Sequence, residues 1–129
     1  MEKLWVGLLA VGAGSAIGGC ARWGLSVWLN PRHAHFFWGT YAANALGGLL
    51  VGAGVAFFAN HPTLPPAWRL FAITGVLGGL TTFSTYSAEV VGLMIRGEIA
   101  WATTVAATHL LTSLVLTALG FWAYQQLAA

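Results

Sequence analysis

The chain has 129 residues, 58% hydrophobic and 6% charged, with a formal net charge of +2. A soluble domain carries about 25% charged residues. Here Asp is absent and the only acids are Glu2, Glu89 and Glu98, so a water-facing surface cannot be built and the solvent is lipid. The basic residues are too few for a nucleic-acid-binding patch. The single cysteine, Cys20, forms no intrachain disulfide or zinc site, and is expected to be a small packed thiol.

Four apolar segments follow in chain order: Leu4 to Leu29, Trp38 to Ala59, Trp68 to Ile95 and Ile99 to Leu127. Each is long enough to cross a bilayer as a helix, which takes about 20 residues. The first could be read as a signal peptide, with Lys3 before the apolar run and Gly14-Ser15-Ala16 as a cleavage site. Its apolar character continues to Leu29, which suits a span better. The connections are short: an Asn30-Pro31 turn leading to His35, a proline-rich loop from Asn60 to Pro66, and Arg96-Gly97-Glu98. The expectation is one all-α membrane domain over residues 1–129. Trp5, Trp28, Trp38, Trp68, Trp101 and Trp122 lie near span ends, where tryptophan anchors a helix at the interface.

Glycines recur four apart at Gly14 and Gly18, Gly48 and Gly52, and Gly75 and Gly79. This spacing lets helix backbones approach closely in lipid. The third pair belongs to a stretch of a different kind, Thr74 to Glu89. There Gly75, Gly78 and Gly79 precede Thr81, Thr82, Ser84, Thr85, Tyr86 and Ser87. Such a density of glycine and hydroxyl suits a helix that breaks along a polar path, which is tolerated at membrane depth only where protein buries it or a cavity solvates it. The glycines themselves are candidates for permitting the break. Phe83 and Tyr86 would share a face once the helix resumes. The expected fold is therefore four transmembrane helices with a broken third helix.

A polar path is hard to enclose in one bundle of this size, so an oligomer is expected. With four spans, Lys3 and Arg69 fall on one side of the membrane and Arg32 and Arg96 on the other, joined by Arg22 if it is counted. Lys and Arg bias sets orientation. A near balance leaves the chain able to insert both ways and to pair antiparallel.

Gly78 to Glu89, GGLTTFSTYSAE, resembles the GGxTTFSTFSxE signature of the Fluc/CrcB fluoride channels. Gly19-Cys20-Ala21-Arg22-Trp23 is similar to that family's first-span motif. The run from Gly39 through Asn44 to Gly48 is similar to its second-span GTxxxNxxGG. Thr112-Ser113 through Thr117 to Gly120 is similar to its fourth-span GSLxxTxLG. Two positions depart from the pattern: Tyr86 where Phe is usual, and Thr112 where Gly is common. The resemblance implies a dual-topology antiparallel homodimer in the bacterial inner membrane, passing fluoride passively out of the cell down its electrochemical gradient. It also implies a structural sodium ion on the dimer axis, held by the backbone carbonyls of Gly78 and Thr81 from each copy.

Fluoride is strongly hydrated, so donors must replace its water. Hydroxyls and amides can do so, and the candidates are Asn44, Ser84, Thr85, Ser113 and Thr117. Ring edges are electropositive, and Phe83 and Tyr86 occupy the family's paired ring positions. The Tyr86 phenol could meet the ion, water or a neighbouring carbonyl. Arg22 could snorkel to the interface or form a positive vestibule. Glu89 reads as a hydrogen-bond acceptor near a vestibule. His109 could border the polar track, but reads rather as a packed, hydrogen-bonded histidine. Thr103, Thr104 and Thr108 read as hydroxyls bonded back to their own helix. His33 and His35 lack a third ligand for a metal. The alternatives to a channel are a small four-span dual-topology drug or cation exporter, which would want a carboxylate within the first span, and a non-transporting membrane scaffold. The sequence holds no catalytic constellation or nucleotide loop, so no enzyme is expected.

Overall fold

The computed structural model describes residues 1–30 and 35–129. Arg32 and His33, which entered the charge balance and the histidine pair, lie outside the described residues. Helix α1 spans Glu2–Leu29 and α2 spans Trp38–Asn60. The third path is composite. It starts as α3 (Pro66–Arg69), continues as a π-helical segment (Leu70–Leu77), returns to α-helix as α4 (Gly78–Leu80), breaks, and resumes as α5 (Phe83–Ile95). Helix α6 (Ile99–Ala128) completes the chain. All regular elements among the described residues are helical, and α1, α2 and α6 are each long and apolar enough to cross a membrane. The all-helical architecture with a broken third helix agrees with the sequence reading.

The helices associate through their small residues. Gly14 faces Gly75 and Gly18 faces Val76 and Leu80, so α1 runs parallel to the third path. Gly48 faces Ser113 and Gly52 faces Thr117 and Phe121, so α2 runs parallel to α6. A Cβ on Gly14 would lie 2.9 Å from the Gly75 Cα, and one on Gly120 would lie 2.8 Å from the Ala53 nitrogen. No real Cβ sits that close, so these glycines set the interhelical distance. Lipid offers no hydrophobic drive between helices, and close backbone packing takes its place. Gly75 and Gly79 belong to this packing, since a Cβ on Gly79 would lie 2.7 Å from the Ser15 carbonyl oxygen. The break itself falls later, at Thr81 and Thr82, whose backbones are extended.

The buried apolar core is small and split. One cluster joins Ala43, Leu77 and Leu80; the other joins Leu93, Ala102 and Val105, with Phe36, Tyr86 and Val90 against it. Many large side chains face outward instead, including Leu9, Trp28 and Leu114, as a lipid solvent requires. Cys20 is exposed rather than packed. It lies two residues beyond Gly18, about 200° round the helix from the packed glycine face. Thr103 and Thr104 bond to the Ile99 and Ala100 carbonyls of their own helix. Gly97, at φ +76°, makes the turn from α5 into α6 in the left-handed region that glycine enters freely.

The glycine contacts give a matched pair of variants. Gly18→Ala is expected to lower the thermal stability of the detergent-solubilised protein by about 2 kcal/mol or more, because backbone must move. Gly12 has nothing within 4 Å of a built Cβ, so Gly12→Ala is expected to be neutral or slightly stabilising. Equal losses at the two sites would contradict the packing assignment.

Candidate functional site

The site grows from the break. In an unbroken helix the amide of Thr82 would bond to the Gly78 carbonyl. It donates instead to Asn44 Oδ1 at 2.7 Å, and Asn44 Nδ2 returns a bond to the Thr82 carbonyl at 3.0 Å. One side-chain amide on α2 thus satisfies both polar groups of an extended residue, as a neighbouring β-strand would. The flanking threonines finish the two helix ends. Thr81 donates through both its amide and its hydroxyl to the Leu77 carbonyl, at 3.0 and 2.8 Å. Thr82 is the N-cap of α5, its hydroxyl accepting from the Thr85 amide at 3.1 Å. Gly47 leaves the space that the Thr81 methyl fills. Arg22 donates from Nε to the Gly79 carbonyl at 3.0 Å. That places a cation at the C-terminal end of a helix, where carbonyls are unpaired and the dipole is negative.

Beside the break lies a groove of about 270 Å³, lined by Asn44, Gly48, Thr81, Thr82, Phe83, Tyr86, His109, Leu110 and Ser113. It is open to the surface of the single chain, and Phe83 at its edge is 78% exposed. The Phe83 and Tyr86 rings meet edge-to-face, with centroids 5.5 Å apart. The Tyr86 hydroxyl donates to the Ala106 carbonyl on α6 at 2.9 Å. Of the three partners open to it from sequence, the phenol takes the neighbouring carbonyl.

Four of the residues read from sequence as donors or ring positions line this groove: Asn44, Phe83, Tyr86 and Ser113. The others stand elsewhere. Ser84 is exposed beside the Thr82 hydroxyl, and Thr85 accepts from that hydroxyl within the capping turn. Thr117 donates to the Gly48 and Ser113 carbonyls, tying α6 to α2. Glu89 accepts from Thr40 at 2.6 Å, with Thr40 fully buried. Gly78 is exposed on the chain's surface.

His109, read from sequence as packed rather than as part of the polar track, also lines the groove. It is packed, 3% exposed, and stacks on Tyr86 with centroids 4.9 Å apart. It is not hydrogen-bonded as expected: neither ring nitrogen has a partner among the described residues. Its position was legible, because it precedes Ser113 by one helical turn on the same face of α6. What sequence could not supply was the aromatic wall that occupies the space where a partner would sit.

This arrangement has relatives. The model of the family described as "CrcB-like protein, Camphor Resistance (CrcB)" matches residues 9–121. The chain belongs to the CrcB family. A protein of Cupriavidus taiwanensis named "Fluoride-specific ion channel FluC" is 54% identical, over 95% of this chain and 98% of its own. Proteins with the same name from Thiobacillus denitrificans and Burkholderia pseudomallei are 53% and 48% identical, over 88% and 92% of this chain and 92% and 93% of their own.

The Asn44 pairing yields its own test. Asn44→Ala strands the amide and carbonyl of Thr82, each costing about 1–3 kcal/mol when buried without a partner. Lower thermal stability is expected, together with faster hydrogen exchange at the Thr82 amide. Protection unchanged at Thr82 would mean that Asn44 does not hold the break.

Proposed function

We propose that this chain is a passive fluoride-selective channel that lets cytoplasmic fluoride leave down its electrochemical gradient. The observation that carries the reading is the likeness, over nearly the full length of both chains, to proteins named fluoride-specific ion channels. The groove is chemically suited to it. Phe83 and Tyr86 offer ring edges, and Asn44 and Ser113 offer polar side chains, in a space of about 270 Å³. Fluoride gives up water only where such groups replace it. The exporter and scaffold alternatives are not favoured. Within the first span the sequence has no carboxylate between Leu4 and Leu29.

The working unit on this reading is an antiparallel homodimer of four-span chains inserted in both orientations in the bacterial inner membrane. The exposure of Phe83, Gly78 and the groove on a single chain supports a second copy covering them. Arg22 and Glu89 then flank the approach to the pathway, and Ser84, Thr85 and Thr117 support its walls. The Gly78 and Thr81 carbonyls fit a sodium ion, which favours oxygen donors. Their intrahelical donors are diverted, the Thr82 amide to Asn44 and the Thr85 amide to the Thr82 hydroxyl. Bound there, sodium would supply a fixed positive charge that joins the two breaks.

The aromatic pair tests the pathway. Phe83→Ile should reduce fluoride efflux from proteoliposomes at least about tenfold, the scale of a lost interaction with a charged group, while the protein remains a folded dimer by gel filtration. Tyr86→Phe should retain most of the flux, since it keeps the ring edge and loses only the bond to Ala106. Undiminished efflux from Phe83→Ile would remove that ring from the ion path.

Orientation has a separate test. Lys3 and Arg69 against Arg32 and Arg96, or against three basic residues with Arg22, are nearly balanced. A C-terminal reporter is therefore expected on both sides of the membrane, and lysines added after Ala129 should bias insertion and lower fluoride export. Co-expression of an oppositely biased copy should restore export. A reporter confined to one side with full export would require a parallel dimer.

A further inference from the structure

The glycine packing that joins α1 to the third path does not continue to the start of the two helices. A Cβ on Gly14 would meet the Gly75 backbone at 2.9 Å, but one on Gly7 would meet only the Leu70 side chain, with Cδ1 at 3.3 Å. The backbones therefore part towards the end of the bundle where both helices begin. A groove of about 360 Å³ occupies this wedge. Val6, Gly7, Ala67 and Leu70 make it apolar, and Pro65 and Pro66, which offer no N–H, also line it. Lys3 is the only charged residue among the described residues of the lining. It stands one helical turn before Gly7, about 6 Å further out along α1. Trp5 and Trp68 come from the same two helix starts and are exposed, as tryptophans at a membrane interface are. The groove thus runs from the interface, where Lys3 lies, towards the hydrocarbon.

We propose that this groove holds an anionic phospholipid, its phosphate against the Lys3 ammonium and the first part of an acyl chain in the apolar wedge. The chain is surrounded by lipid, and the groove has a lipid's own order: a charged end at the interface and an apolar interior. Charge then selects among lipids. A choline or ethanolamine headgroup carries an ammonium beside its phosphate, and the described lining holds no carboxylate to receive it. Arg69, exposed and next to Leu70 in the chain, adds a second cation at this end of the third path. Basic residues at a membrane surface attract anionic headgroups for the same reason. Such a site needs only the membrane setting and does not depend on the fluoride reading. In the antiparallel dimer proposed above, one groove would face each leaflet.

Native mass spectrometry of the full-length protein, released from detergent containing equal phosphatidylglycerol and phosphatidylcholine, reads the site directly. The wild type should retain phosphatidylglycerol in preference. Lys3→Gln should lower that preference about fivefold, the scale of one lysine's attraction to an anionic membrane surface, and Lys3→Arg should keep it. Gly7→Leu should reduce retention of both lipids by filling the wedge. Arg69→Gln, outside the lining, should change the preference less than Lys3→Gln does. Excess glycerol phosphate should displace nothing, since it lacks the acyl chain. Equal retention of the two lipids by the wild type, or an unchanged preference in Lys3→Gln, overturns the proposal. Equal losses in Arg69→Gln and Lys3→Gln would mean diffuse surface charge and overturn it as well. Displacement by glycerol phosphate would do the same, as the mark of a site for a soluble anion. If Gly7→Leu keeps its lipid but loses the dimer on gel filtration, a second copy covers the groove and the lipid assignment falls. If Gly7→Leu fails to fold, the Lys3 and Arg69 variants decide.

Discussion

Asn44 commits both ends of its amide to the backbone of Thr82, and the site depends on that pairing. A helix cannot open inside a bilayer unless something replaces the lost hydrogen bonds, because each unsatisfied group costs several kcal/mol there. Asn44 meets that demand from the neighbouring helix, at 2.7 and 3.0 Å. Three consequences follow from one side chain. The third path can change direction, the carbonyl at Gly78 loses its helical donor, and α5 restarts with Phe83 at its first turn, facing the groove. The threonines on either side then close the helix ends with their own hydroxyls, so that the opening stays local.

The rigidity needed to hold this opening comes from glycine rather than from a large apolar core. The buried clusters contain few large side chains, whereas Gly14, Gly18, Gly52 and Gly120 bring backbones into direct contact. Two parallel helix pairs result: α1 with the third path, and α2 with α6. Asn44 stands on one pair and Thr82 on the other, so the amide bridge also joins the pairs. The groove lies beside this bridge, bounded by α2, the break, α5 and α6. Its walls therefore inherit their positions from backbone packing, which tolerates little drift.

Aromatic packing sets the polar character of the groove. Tyr86, Tyr41, Phe36 and Phe83 are arranged around His109 and one another with centroid separations between 4.9 and 5.8 Å. Both phenols are tied to α6, one to Ala106 and one to Thr112. Phe83, Tyr86 and the packed His109 line the opening, together with Asn44 and Ser113. A wall of weakly polar edges and few strong donors is compatible with an anion that must enter and also leave.

Much of this was legible in the sequence. Composition required lipid, the four-residue glycine spacing required close helix contact, and glycine with hydroxyls between Thr74 and Glu89 required an interrupted helix. Motif order along the chain pointed to the family that the comparisons bear out. Other features were decided by tertiary structure. The break falls at Thr81 and Thr82 rather than at the glycines, because the partner amide sits on α2. Thr117 serves packing because its hydroxyl meets the Gly48 carbonyl across a helix pair, which no spacing along α6 reveals. Cys20 is exposed because the glycine face of α1 turns it outward. His109 lacks a partner because the rings around it have committed their hydroxyls elsewhere. Local pattern determines what each segment can do. Which donor meets which acceptor depends on residues 20 to 71 positions apart in the chain, and only the folded arrangement of helices brings those together.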